Sequence, residues 1–246
     1  MTTTLERVAI TGMGVVGPNG VGADALWSAL LAGESGIRAI DDPEVAARVP
    51  AHAWGVARDF DPTAHIEKRT ARRMGRFSQM AVACARMALE DAGIAAFTPE
   101  RTGVVVHTGA GGNVEGDREV VARAADPSRM GPLYVPLLSA NMGAANVAIQ
   151  LGITGPTTAG VGACAAGAIA LVEALHLLRR GEVDLVLAGG TEAALSPNLI
   201  SCLANAGALT TDEGDPATLS RPFDRDRTGF VPAEGAAIFA LEPLER

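Results

Sequence analysis

Lysine is almost missing from this 246-residue chain: Lys68 is the only one, and arginine supplies the other cationic side chains. Aromatic residues make up only 4%, against 29 glycines. Such an interior must be built from small side chains, as in tightly packed α/β layers. There are three cysteines, Cys84, Cys164 and Cys202, with no C-x-x-C spacing. That argues against a disulfide framework or a cysteine-based metal site, and it fits a reducing cytoplasm. Basic residues are outnumbered, 20 to 28, leaving a net charge of −8 that argues against nucleic acid as a partner. The first residues carry neither a basic region nor an apolar run, so no secretory leader is expected. Residues 131–172 hold no charge, but Pro132, Pro136, Asn141, Asn146, Gln150 and Pro156 interrupt them. They read as the buried middle of a soluble fold, not a membrane span.

What is present alternates between strand and helix. Residues 7–11 form a short apolar strand ending in glycines, and 23–32 have helical spacing stopped by Gly33. Residues 36–61 read as an irregular polar surface excursion. A long amphipathic helix is predicted over 70–92, with Met74, Phe77, Met80, Ala81, Cys84, Met87 and Ala88 as its apolar stripe and Gly93 as its end. Residues 102–108 read as a buried strand, followed by Gly109-Ala110-Gly111-Gly112. Further helices are expected over 139–151 and 197–208. A strand over 183–188 ends in Gly189-Gly190, a charged loop spans 212–227, and a β-hairpin is expected over 229–241. The class is α/β with a mostly parallel sheet and room for an antiparallel edge.

Cys164 stands out against this background. It follows the Thr/Val-containing stretch 157–161 and precedes an Ala/Leu-rich helical segment, 165–178, closed by Arg179-Arg180-Gly181. Strand, tight turn and helix then place the thiol at a helix N-terminus. Unpaired N–H groups and the helix dipole there favour thiolate, and the same N–H groups can hold an oxyanion. A cysteine is more often buried and inert, so its neighbours must decide. A hydrolase of the G-x-C-x-G kind is a poor fit, because Ala166 stands where the second glycine belongs. Gly12-Met13-Gly14-Val15-Val16-Gly17 matches a dinucleotide-binding fingerprint. The loop then runs on through Pro18-Asn19-Gly20, and no apolar second strand follows the first helix, so nicotinamide binding is not expected.

Six stretches together resemble the β-ketoacyl-acyl-carrier-protein synthases, the ketosynthases of fatty-acid and polyketide assembly. The first two are Arg7-Val8-Ala9-Ile10-Thr11-Gly12-Met13-Gly14 and Leu26-Trp27-Ser28-Ala29-Leu30-Leu31-Ala32-Gly33-Glu34-Ser35-Gly36-Ile37. Next come Arg72-Arg73-Met74, Gly162-Ala163-Cys164-Ala165-Ala166-Gly167 and Ala188-Gly189-Gly190-Thr191-Glu192. The last is Ser220-Arg221-Pro222-Phe223-Asp224 with Gly229-Phe230-Val231. The resemblance implies a thiolase-like fold, mixed sheet flanked by helices, of which residues 1–246 would be the N-terminal half. It implies that Cys164 accepts an acyl chain and that a malonyl thioester then condenses onto it with loss of carbon dioxide. It implies no cofactor beyond the phosphopantetheine of an acyl carrier protein, which would be the partner.

The same resemblance places Ala110, Gly111, Ala163 and Phe230 around the acyl pocket, Ala110 standing where a bulky residue often limits chain length. It assigns carrier-protein docking to Lys68, Arg69, Arg72 and Arg73, with Arg76 in the same basic cluster. Asn141 and Met142 match a stretch near the family's dimer interface, so an oligomer, homo- or hetero-, is expected. Glu192, and Asp224 with Arg225, are expected to hold loops around the site. The family's second half supplies two catalytic histidines, a lysine and a further oxyanion loop. Of His52, His65, His107 and His176, only His107 lies where it could approach the pocket. The expectation is therefore a two-chain enzyme whose partner brings those groups, a fragment of a longer chain being the other reading. The rival function is a silent carrier-binding or chain-length-factor-like subunit; in those the cysteine is replaced, whereas Cys164 is kept.

Overall fold

A computed structural model describes residues 7–245. In chain order the elements begin with β1 (Val8–Gly17), β2 (Gly20–Val21), α1 (Ala23–Ala32), β3 (Arg38–Ala39), α2 (Pro43–Ala46) and β4 (Ala53–Trp54). Then come α3 (Lys68–Ala71), α4 (Arg76–Asp91), β5 (Thr102–His107), α5 (Asn113–Arg123), α6 (Tyr134–Leu138) and α7 (Met142–Leu151). The chain continues through β6 (Thr157–Thr158), α8 (Ala166–Arg179), β7 (Leu185–Glu192), α9 (Pro197–Asn205), α10 (Pro216–Leu219) and β8 (Gly235–Pro243). The main sheet has the order β2-β1-β8-β7-β5-β6. β5 pairs in parallel with β6 and β7, while β8 runs antiparallel to both β7 and β1. The sheet is thus mixed, and its antiparallel part reaches the middle strands instead of stopping at an edge.

Strand alternation divides the interior into two layers. Val104 and Val106 of β5, with Leu185 and Leu187 of β7, pack on the side of α4 and α7. Val105, Val186, Ala188 and Leu241 face α8 through Ala170, Ala174, Leu177 and Leu178. β5 and β7 are covered on both faces, which is why they read as unbroken apolar runs.

Several expectations need correction. β1 does not end at its glycines but runs on through them. A side chain at Gly14 would put its Cβ 2.0 Å from the carbonyl oxygen of Cys84, and one at Gly12 would lie 2.2 Å from that of Ala88. Glycine here lets α4 lie directly on the strand, and the fingerprint-like glycines belong to this contact, not to a phosphate-binding turn. The same reason carries β7 through Gly189-Gly190 to Glu192: a Cβ on Gly190 would sit 3.1 Å from Cα of Gly167, at the start of α8. The single helix expected over 70–92 is two, α3 and α4, separated at 72–75, with Gly75 at the N-cap of the second. The hairpin expected over 229–241 is one long strand, β8, because its partners are the distant β1 and β7. The stretch 36–61 is no mere excursion. It forms the β3–β4 ribbon and contributes Ala51 and Trp54 to a small core with Ile200 and Leu209. α5 and α6 were not foreseen.

The glycine contacts predict a sharp asymmetry. Gly14→Ala should destabilise the chain by about 3 kcal/mol, since neither a strand nor a buried helix backbone can yield. Gly17→Ala, at the end of the same strand with open space around its Cβ position, should be close to neutral. Thermal melts of the two variants check this.

Candidate active site

The nucleophile turn is built by three segments meeting at the ends of the parallel strands. Thr108, just past β5, bridges to Val161, and Gly162 N–H donates to the Thr108 carbonyl at 3.2 Å. Residues 163–165 make one 3₁₀ turn, and α8 starts at Ala166. Ala163 takes φ 47°, the left-handed region that a Cβ disfavours. That unusual backbone lifts the next residue out: Cys164 is an exposed free thiol, and the helix behind it has no side-chain cap on its first N–H groups. Gly167 lets this first turn settle on Gly190, so the thiol is fixed over the sheet by a backbone-to-backbone approach.

Cys164 borders a cavity of about 570 Å³. Ala110, Ala163 and Phe230 line it as well, so the chain brings together four of the residues singled out in the sequence. Gly111 lies one residue off the wall. Its φ is +60°, its N–H donates to Thr108 Oγ1 at 3.0 Å, and a Cβ would meet Cα of Ala140 at 3.0 Å. The far wall is apolar and comes from α9 through Leu199 and Leu203, with Leu195 before it. Those residues were missed, although Ser196-Pro197 signals a helix start and the i, i+4 leucines signal a packed face. Ser196 Oγ does cap this helix, accepting from Leu199 N–H at 3.2 Å. A second cavity, of about 850 Å³, lies among Arg221, Phe223, Arg225, Arg227 and Phe230. No cysteine or histidine lines it, and the only lining residue it shares with the first cavity is Phe230.

Glu192 closes β7 and holds the glycine-rich turn. Its Oε2 accepts from the N–H groups of Gly109 at 2.7 Å and Ala110 at 3.0 Å, and its Oε1 from Thr108 Oγ1 at 3.3 Å. Burial holds its carboxyl above the ordinary range, partly offset by these donors. Asp224 organises its own loop, accepting from Asp226 N–H at 2.7 Å, while the Arg225 side chain is 92% exposed and paired with Asp226.

Of the histidines, His107 lines the cavity. Its side chain is 3% exposed, and Nε2 lies 3.2 Å from Glu173 Oε2 on α8 without hydrogen-bond alignment. His52 and His176 are exposed, and His65 stacks on Phe60. None of these three touches the cavity. Lys68, Arg69, Arg72 and Arg73 are exposed and make no ion pair among the described residues. Arg76 does not belong with them. Its Nε and Nη2 donate to Glu234 at 2.8 and 2.7 Å, and its guanidinium lies over Phe60. Among the described residues no His/Cys/Asp/Glu cluster could hold a metal, and no helix is long and apolar enough to cross a membrane.

A family profile described as "Beta-ketoacyl synthase, N-terminal domain" matches residues 5–246. A 3-oxoacyl-[acyl-carrier-protein] synthase 2 from Synechocystis sp. is 38% identical over 98% of this chain. This chain spans 58% of that relative's length. A type II polyketide ketosynthase, solved with its acyl-carrier protein and bound to a hexaketide, superposes with a TM-score of 0.86 at 27% identity. The match covers 98% of this chain and 59% of that one. The ishigamide ketosynthase/chain length factor gives 0.83 at 33% identity, over 98% and 59%. An exposed cysteine on a strained turn at the head of α8, in a six-stranded mixed sheet, is thus accompanied by sequence and fold likeness along the whole chain, which belongs to the β-ketoacyl synthase family as its N-terminal domain.

Proposed function

We propose that this chain is the nucleophile-bearing half of a β-ketoacyl-acyl-carrier-protein synthase. The carrying observation is the exposed Cys164 opening into an apolar cavity beside the uncapped start of α8. In the first stage the Cys164 sulfur attacks the thioester carbonyl of an acyl chain carried on phosphopantetheine. The C–S bond to the carrier breaks, the pantetheine thiol leaves, and the acyl group rests on Cys164. The Cys164 backbone N–H is one oxyanion donor in this step. In the second stage a malonyl-carrier thioester loses carbon dioxide, and its enolate carbon displaces the Cys164 sulfur to give the β-ketoacyl product. The histidines that stabilise the enolate, and the second oxyanion donor, come from the part of the family that this chain does not span, on the same polypeptide or on a second one. The complete enzyme is a cytoplasmic oligomer, and no cofactor other than carrier-borne phosphopantetheine is required. The rival is a non-catalytic carrier-binding or chain-length-factor-like subunit. A retained, exposed thiol favours the catalytic reading.

Lys68, Arg69, Arg72 and Arg73 form the docking surface for an acidic carrier protein: four exposed cations that make no ion pair among the described residues, on a chain of net charge −8. Charge reversal at Arg69 and Arg73 together should slow acyl loading from the carrier by about tenfold at low salt, and the gap should shrink at high salt. Unchanged loading at low salt would remove the docking role. Ala110 sets the depth of the cavity. Ala110→Phe should shift the accepted acyl chains to shorter lengths, read by mass spectrometry of the loaded protein; an unaltered length distribution contradicts this.

A further inference from the structure

The turn that carries Ala110 is held by a side chain rather than by sheet or helix. Gly109 and Ala110 donate their N–H groups to a single carboxylate oxygen of Glu192, and Gly111 donates to Thr108 Oγ1, which itself donates to the other oxygen of Glu192. Three consecutive backbone donors thus depend on one carboxylate and one hydroxyl. Glu192 makes no ion pair among the described residues, so backbone dipoles and a hydroxyl, not a cation, stabilise it. β7 ends by placing this partly buried carboxylate on the cavity wall, where leaving water carries a cost. The turn it holds has little slack. A Cβ on Gly109 would lie 2.6 Å from Glu192 Oε2 and 3.4 Å from Cα of Ala163, the residue before the nucleophile.

We propose that Glu192 is a positioning residue that sets which acyl chain lengths Cys164 accepts. It clasps residues 108–111 and fixes the Ala110 methyl relative to the sulfur. This rests on the reading of Cys164 as the acyl acceptor and adds to it the group that enforces length selection. Gln at this position keeps an oxygen for both N–H groups and an amide that can donate to Thr108 Oγ1, so the clasp depends on geometry more than on charge. Alanine leaves two N–H groups without acceptors and frees the turn.

The test is a series of N-alkyl iodoacetamides, from methyl to dodecyl, reacted with the full chain and read as the rate of Cys164 modification by peptide mapping. Glu192→Ala should change the ratio of long-chain to short-chain rates by about fivefold or more, the size of a 1 kcal/mol difference between chain lengths. Glu192→Gln should keep the wild-type ratio. If Glu192 is only a structural prop, Glu192→Ala changes all lengths together and the ratio stays put, which overturns the proposal. Thr108→Val removes the hydroxyl link while leaving Glu192 in place. It should move the ratio in the same direction, and an unmoved ratio there overturns the proposal even where Glu192→Ala does not fold. Wild-type protein in which no length modifies Cys164 overturns the acyl-acceptor reading and the clasp with it, whereas modified wild type with an unmoved Glu192→Ala ratio overturns the clasp alone.

Discussion

Cys164→Ala should leave the fold intact and abolish acyl loading, by at least about 10³-fold. The side chain is exposed and makes no contact that the sheet depends on, so the melting temperature should barely move. The chemistry, by contrast, has no substitute among the described cysteines. Cys202 is exposed on α9 but does not border the cavity. Cys84 is buried in α4, its Sγ 3.4 Å from the Ala236 carbonyl, and burial pushes its thiol far above the ordinary range. Brief iodoacetamide treatment of the native chain should therefore mark Cys164 and Cys202 and spare Cys84. In the Cys164→Ala variant only Cys202 should be marked. Loading that survives in that variant would move the nucleophile elsewhere.

Glu234→Ala should be the most damaging of the single polar changes, at about 3–5 kcal/mol of folding stability. The Glu234 side chain is 4% exposed and accepts from Arg76 Nε and Nη2 and from Ala57 N–H at 2.9 Å. Three remote segments meet there: the loop before β8, the start of α4 and the stretch after β4. Removing the carboxylate strands a guanidinium whose side chain is only 32% exposed and leaves the Ala57 N–H without its acceptor. Pro232, Ala233 and Gly235, its sequence neighbours, line the Cys164 cavity, so the loss should widen the site as well as weaken the fold. Glu234→Gln, which keeps one acceptor oxygen for Ala57 N–H and Arg76 Nη2 but loses the charge and the acceptor for Arg76 Nε, should lose less. Urea unfolding of the three proteins gives the comparison, and an Ala variant within about 1 kcal/mol of wild type would show the pair to be dispensable.

The parts legible in the sequence were those with local causes. The Cys164 turn announced itself through small residues between a Thr/Val stretch and an unbroken Ala/Leu helix. α1 ends at Gly33, which is left-handed at φ 68°, as its position suggested. The illegible parts had causes distant in the chain. Gly12 and Gly14 look like a strand's end, yet α4, more than sixty residues on, requires them within β1. β8 looks like half of a hairpin because its partners, β1 and β7, are not its neighbours in sequence. Arg76 looks like one more cation in a basic cluster until Glu234 arrives beside it. At the site, Ala110, Ala163, Cys164 and Phe230 were legible from the motifs that carry them. The α9 wall was not, because leucines on an amphipathic helix do not say which cavity they face. The role of Glu192 was visible only as a loop holder until its donors could be named.

The most direct test is transfer itself: incubation of the wild-type chain with an acyl-loaded carrier protein, followed by peptide mapping of the adduct. A thioester-linked acyl mass on the peptide holding Cys164, released by neutral hydroxylamine and missing in the Cys164→Ala control, is the predicted result. An acyl mass on another residue, or a carrier thioester left untouched while iodoacetamide reacts freely at Cys164, would contradict it.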